Sequence, residues 1–446
     1  MNWEPQNTVQ DLSRKLADFT VSFSLESAPP KVLDNAKIAM LDCLGVAILA
    51  TSQEIGVALL SFARENASKG SCTVWGTGVT TGSRDAALIN GTLAHGLDFD
   101  DRNHASTYTL AASIAAAEDS DLPGAKVLES FIVGREIRAG LDVLFARRNS
   151  GIGPGARGWH SNGILGPIAS ACSVSKVLGL NRQQTLTAIG LSAGSCGALT
   201  RDGGTMAKPF RVGHAAATGL TCALLAKNGF SSDETPLEGR YGLLEALAPV
   251  NEDVLESLGT TLGSEYHLES AIRVKPFASC TATHAGLEAM LRLIQKHPTK
   301  SESVESIECD LKPYPLVRRH PSRGFEGRFS MPFCLAITLI YRRLNPDDFI
   351  NEHVQNPLVQ EIMRRTRHIP GSASLVITLK DGTRLVESIQ SPTDLKEWNE
   401  IRQKFQKCTS GILTARDGEA VLGLVSRLET VPSVRLLTKA LRTKMI

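Results

Sequence analysis

The sequence of 446 residues has no dominant charge sign: Lys and Arg total 48 and Asp and Glu 46, a formal net charge of +2. That balance disfavours nucleic-acid binding by bulk charge and leaves only local basic patches. Aromatic residues are scarce, at 5%. The nine cysteines stand singly, with no Cys-x-x-Cys pair. An odd, dispersed set argues for reduced thiols and against a zinc site or a disulfide framework. Long apolar runs are missing as well. Stretches such as 110–117 and 189–199 are too short and too rich in small residues to span a bilayer. The opening Met1-Asn2-Trp3-Glu4-Pro5 lacks the basic-then-apolar order of a signal peptide. The expectation is a cytoplasmic protein with neither a membrane nor a nucleic-acid partner.

What is present is ordinary globular composition, 42% hydrophobic and 21% charged, with 38 glycines and abundant alanine. Small residues let helices approach closely. Residues 8–265 read as successive helices broken by Gly, Pro and Asn. Val32, Ala36, Ala39, Cys43 and Val46 form a helical stripe after Pro29-Pro30. Ala215, Gly219, Cys222 and Ala226 repeat it with smaller residues. The texture changes near 268. Val304–Leu311 alternates as a half-buried strand does. Leu375, Ile377 and Leu379 alternate before Asp381-Gly382, which reads as a two-residue hairpin turn into Leu385–Ile389. Helical stretches at 284–296, 330–344 and 354–366 lie around these strands, and helix resumes near 396. The reading is a mainly α protein. A large helical domain, 1–268 continued by 395–446, is interrupted by a smaller α/β lid at 269–394.

Four segments concentrate reactive side chains. Asn90–Asp101 ends in Asp98-Phe99-Asp100-Asp101 and is followed by His104. Carboxylates this close repel one another unless a partner uses them, so the segment is either a functional turn or a solvated acidic one. Gly158-Trp159-His160-Ser161-Asn162 opens a helix, where backbone N–H groups suit an anion; alternatively, His160 simply caps the helix. Gly203–His214 delivers Lys208 from a Gly-rich loop, placed either to hold a carboxylate or to lie in solvent. Lys275–His284 sets Cys280 and His284 four apart. They form a nucleophile pair, or Cys280 is a packing residue and only His284 faces a cleft.

In this order and at these separations, the four segments resemble the MmgE/PrpD family. Asp42-Cys43-Leu44-Gly45, Trp75-Gly76, Phe329-Ser330-Met331-Pro332 and the Asp381-Gly382 hairpin extend the likeness along nearly the whole chain. The resemblance implies a helical domain with an α/β lid, a homodimer, and an active site between the two domains that needs no cofactor or metal. It implies a small di- or tricarboxylate substrate and catalytic roles for Asp98, His104, His160, Lys208 and His284. Arg102, Lys275, Cys280 and Asp101 are expected to contact the substrate. The leading activity is dehydration of a 2-methylcitrate-like acid. Decarboxylation of a cis-aconitate-like acid, epimerisation next to a carboxylate, and carboxylate binding without turnover are the alternatives. All the reactions need a proton donor or acceptor of near-neutral pKa beside a held carboxylate, which a histidine with Lys208 provides. Asp98 is expected to orient a histidine. The loop departs from the family pattern: only Arg102 and Asn103 separate the Asp pair from His104, and Ala105 stands where proline is usual. Arg102 either meets the substrate or pairs with Asp100 or Asp101.

Overall fold

The computed structural model describes residues 11–143, 154–247, 262–270, 272–310 and 320–443. It is mainly helical, as expected. The alanine- and glycine-rich segments become long helices, among them Pro30–Ala50, Ser83–His95, Ala105–Asp119, Gly124–Leu141, Ser161–Val177 and Ala207–Lys227. Ala105–Asp119 is buried on every side through Glu118, because its residues are small or apolar all round. The other helices pack about it. Close packing depends on missing side chains at two crossings. A Cβ on Gly213 would overlap the Leu88 carbonyl and the Thr92 hydroxyl, and one on Gly219 would meet the Ser170–Ala171 backbone. No single described helix is long and apolar enough to cross a membrane. All nine cysteines are free, and eight of them are buried.

A four-stranded sheet follows in the chain. Its order is Thr366–His368, Val304–Cys309, Ser374–Leu379, Arg384–Ser388; the first pair is parallel and the others antiparallel. Ile307, Cys309, Leu375 and Ile377 are buried, as their alternation requires, while Leu311 lies outside the described residues. Helices Thr281–Lys296 and Pro357–Arg365 pack on the sheet. The hairpin turn differs from expectation. Leu379 N–H donates to Thr383 O at 2.8 Å, so three residues intervene rather than two. Gly382, at φ +88°, takes the left-handed position that such a loop needs. The expected 354–366 helix is two, Asn351–Gln355 and Pro357–Arg365. They part at Asn356, whose side chain accepts from Leu358 N at 2.9 Å, beside a proline with no N–H to give.

After the sheet the chain returns to the helical region. Helix Trp398–Thr409 packs on Pro30–Ala50, where the absent Gly45 side chain makes room for Phe405. Leu441 O accepts from Gly76 N at 2.8 Å.

Candidate active site

The loop Gly96–His104 joins two buried helices, which withdraws its carboxylates from the outer surface. Asp98, Asp100 and Asp101 are all buried. Asp98 (φ +49°) and His104 (φ +63°) adopt the left-handed conformation without being glycine. Such outliers concentrate at functional sites and persist only where the surroundings enforce them. The enforcing contacts here are ionic.

Asp98 is held by two lysines. Lys208 Nζ lies 3.0 Å from Oδ2; Lys275 Nζ pairs with Oδ1 and donates to the Asp98 carbonyl at 2.9 Å. Burial works to raise the Asp98 pKa, but the two ammonium groups hold it well below the usual carboxylate range. Lys275 is fully buried, and although burial opposes it, Asp98 keeps its pKa raised.

Asp100 joins two histidines. His104 Nδ1 lies 2.8 Å from Oδ2 and His95 Nδ1 3.1 Å from Oδ1, with the two rings 4.1 Å apart. Burial again acts upward on Asp100, but the paired imidazoles hold it well below its ordinary value. An ionised Asp100 only accepts, so each Nδ1 carries its hydrogen and each Nε2 is the nitrogen that can exchange a proton. His95 is fully buried; burial, with the nearby Lys208 and His104 charges, lowers its pKa to about 3. It is a neutral hydrogen-bond donor. His104 is 13% exposed on the cavity side, and its Nε2 lies 3.8 Å from Asp98 Oδ1. The expectation that Asp98 orients a histidine is therefore corrected. Asp98 answers the lysines, and Asp100 orients His104.

The remaining expected residues divide. Asp101 accepts from Arg135 Nη1 at 2.9 Å and from Ser106 N at 3.3 Å, so it braces the loop while bordering the cavity. Arg102 pairs with neither Asp100 nor Asp101. Its Nε pairs with Asp394 and its Nη2 donates to Pro392 O at 3.3 Å, tying the loop to the chain beyond the sheet. His160 caps helix Ser161–Val177, accepting from Asn162 N at 3.3 Å, and also lines the cavity. Cys280 and His284 exchange places. Cys280 lines the cavity, with burial and Asp98 raising its thiol pKa, which disfavours a thiolate there. His284 is fully buried behind it. Its Nε2 contacts Ser279 O at 3.1 Å and its ring stands edge-on to Phe277. Burial, assisted by Lys275, lowers its pKa to about 3. Among the described residues lining the cavity His284 is absent, because the first turn of helix Thr281–Lys296 turns it inward.

The cavity holds about 600 Å3. Six Lys or Arg side chains line it against three carboxylates. Arg135, Arg138 and Arg273 are wall residues that the sequence reading missed. Arg135 and Arg138, three apart in helix Gly124–Leu141, share one of its faces; the helix also carries Lys126, Glu129 and Glu136, so charge alone did not single them out. Arg138 Nη2 donates to Ser161 Oγ and Asn162 Oδ1, each at 3.2 Å. The ligand atoms of His95, Asp98, Asp100 and His104 lie within 4.8 Å of one another, a spacing that suits a metal ion. The donor set does not: Asp98 is already neutralised by two ammonium groups, and Asp100 is committed to the Nδ1 atoms of two imidazoles. A third positive centre there would be repelled. Cationic side chains outnumber carboxylates in the wall, which suits an anionic ligand.

Comparison with known proteins agrees. The chain is 26% identical to a cis-aconitate decarboxylase of Mus musculus over 444 residues, covering 92% of this chain and 89% of that one. It is 25% identical to a cis-aconitate decarboxylase of Aspergillus terreus, over 88% of this chain and 87% of the other. A mitochondrial 2-methylcitrate dehydratase of Yarrowia lipolytica (strain CLIB 122 / E 150) is 23% identical, over 85% of this chain and 78% of that protein. The model of the MmgE/PrpD N-terminal domain matches residues 14–254, and that of the C-terminal domain matches 277–430. With both halves matched in order, the chain belongs to the MmgE/PrpD family.

Proposed function

We propose that this protein is a cofactor-independent lyase that removes CO2 from a cis-aconitate-like tricarboxylic acid. One observation carries the reading: a cation-rich cavity meets a histidine whose Nδ1 is committed to a carboxylate and whose Nε2 is left to exchange protons. The two cis-aconitate decarboxylases named above support this choice over dehydration.

In the proposed step the cationic wall holds the carboxylates that stay. The bond from carbon to the departing carboxylate breaks, CO2 leaves, and the electron pair spreads into the neighbouring double bond. The lysines and arginines stabilise the charge as it spreads. His104, protonated, delivers the Nε2 proton to carbon and is left neutral, and solvent restores the proton. Asp100 keeps the ring oriented through both states.

Dehydration of a 2-methylcitrate-like acid is the second reading. It needs a base and an acid, and His160 lines the same cavity as His104. We also propose a homodimer in the cytoplasm, with 1–268 and 395–446 as one unit and 269–394 as a lid. The free thiols support the location. The packing of Trp398–Thr409 on Pro30–Ala50 supports the discontinuous unit.

Purified protein is offered cis-aconitate and 2-methylcitrate separately, with CO2 and ultraviolet absorbance followed. CO2 from cis-aconitate is the expected result. Loss of water from 2-methylcitrate without CO2 release would replace the reading by the second one. If both acids stay inert while citrate raises the melting temperature, the protein binds carboxylates without turnover.

A further inference from the structure

Asp42 and Gly45 belong to a motif that the cavity does not use. Neither lines it, yet both meet the helix Trp398–Thr409. Gly45 admits Phe405, and Asp42 Oδ1 lies 2.7 Å from Lys404 Nζ. Lys404 is 6% exposed. Its ammonium donates to Phe99 O at 2.6 Å and to Lys275 O at 3.0 Å, and sits 3.7 Å from the centre of the Phe99 ring.

The ammonium donates to both carbonyls and forms an ion pair with Asp42. The two carbonyls matter to the site. Phe99 stands between Asp98 and Asp100, so the orientation of its peptide group sets where both carboxylates point. The Lys275 carbonyl fixes the backbone from which Lys275 Nζ reaches Asp98. The two carbonyls lie 176 residues apart in the chain, and Lys404 grips both from behind the cavity wall.

We propose that Lys404, held by Asp42, is a positioning residue that clamps the Asp98 loop against the Lys275 segment and so fixes the carboxylates that the lysines and His104 face. The inference rests on the lyase reading for its kinetic consequence, but not for its structural one. Catalysis is sensitive to such placement, since small displacements of reacting groups cost rate more than affinity.

The test uses the full chain with Asp42→Asn and Lys404→Met combined. Removing both charges together leaves no uncompensated buried ion, so the fold is kept. Lys404→Met alone serves as comparison. Hydrogen exchange is followed in peptides covering 98–104 and 273–276, with 374–388 as internal reference. The expected result for the double variant is at least tenfold faster exchange in the first two peptides and none in the reference. With cis-aconitate, kcat is expected to fall at least tenfold while KM stays within threefold. Unchanged exchange at 98–104 and 273–276 in the folded double variant overturns the proposal. So does an increase shared by the reference peptide, which marks general loosening. Wild-type protein that turns over neither acid refutes the lyase reading alone, and the exchange measurement still decides the role of Lys404.

Discussion

Asp100 accepts from His104 Nδ1 at 2.8 Å, and this bond makes Nε2 the working nitrogen of the ring. The same carboxylate holds His95, so one buried anion fixes two imidazoles at once.

Asp100→Asn keeps the size of the side chain but removes its charge and lets its amide donate. His104 then no longer has a fixed tautomer. The expected loss in kcat is about 10²–10⁴-fold, the usual worth of positioned acid–base catalysis. KM is expected to change little. Steady-state kinetics across pH 5–9 checks this, and a kcat within threefold of wild type would remove Asp100 from the mechanism.

Lys275→Met strands part of the Asp98 charge in a buried site. Breaking such a pair from one side costs about 3–5 kcal/mol. The double variant with Asp98→Asn is expected to cost at least as much as Lys275→Met alone, since it leaves the buried Lys208 ammonium without its carboxylate. Urea denaturation of the two single variants and the double variant measures the coupling.

The buried histidines make stability acid-sensitive. His95 and His284 have folded pKa values of about 3, well below the 6.5 of an exposed histidine. Between those values the unfolded chain binds more protons, so stability is full above about pH 6.5 and falls as pH drops toward 3. Asp42 acts in the opposite sense. Burial, opposed by Lys404, raises its pKa to about 6, so it favours the folded state as pH falls below that value. His284→Gln removes one of the proton-linked losses. Its stability is expected to decline less steeply than wild type between pH 6.5 and 4, measured by denaturation at each pH. An unchanged slope would contradict the buried, neutral assignment.

Gly213→Ala places a methyl group against the Leu88 carbonyl and Thr92. Backbone cannot move aside cheaply, so a loss of about 1–3 kcal/mol is expected, as for overpacked cores. Thermal unfolding reads it directly. The helix that must shift is Ser83–His95, which ends at His95, so kcat is expected to fall as well.

The helical plan was legible because small apolar residues recur at helical spacing, as Val32 to Val46 show. The sheet was legible from alternation at Ile307 and at Leu375–Ile377. The division of labour among Asp98, Asp100 and Asp101 was not. Their partners come from residues 95, 104, 135, 208 and 275, and adjacency in sequence says nothing about which carboxylate meets which cation. The inversion of Cys280 and His284 has a similar cause. Four-residue spacing puts two side chains on one helical face only if both lie in the helix, and Cys280 is its N-cap. Asp394, the partner of Arg102, lies 292 residues away and beyond the reach of any local pattern.

Lys404 and Phe99 are separated by 305 positions. At a synthesis rate of about 5–20 residues per second, roughly 15–60 s pass between the emergence of the two. During that interval a nascent chain can form the Ser83–His95 and Ala105–Asp119 helices. Lys275 arrives part-way through, and the ammonium that joins its carbonyl to that of Phe99 arrives only with the last helices. The acidic loop therefore meets its charge partners Arg135, Lys208 and Lys275 in turn, and the grip on its backbone comes last. A chain stalled before residue 404 would present a helical body with an unfinished centre, a species for chaperones to shelter rather than a partial enzyme.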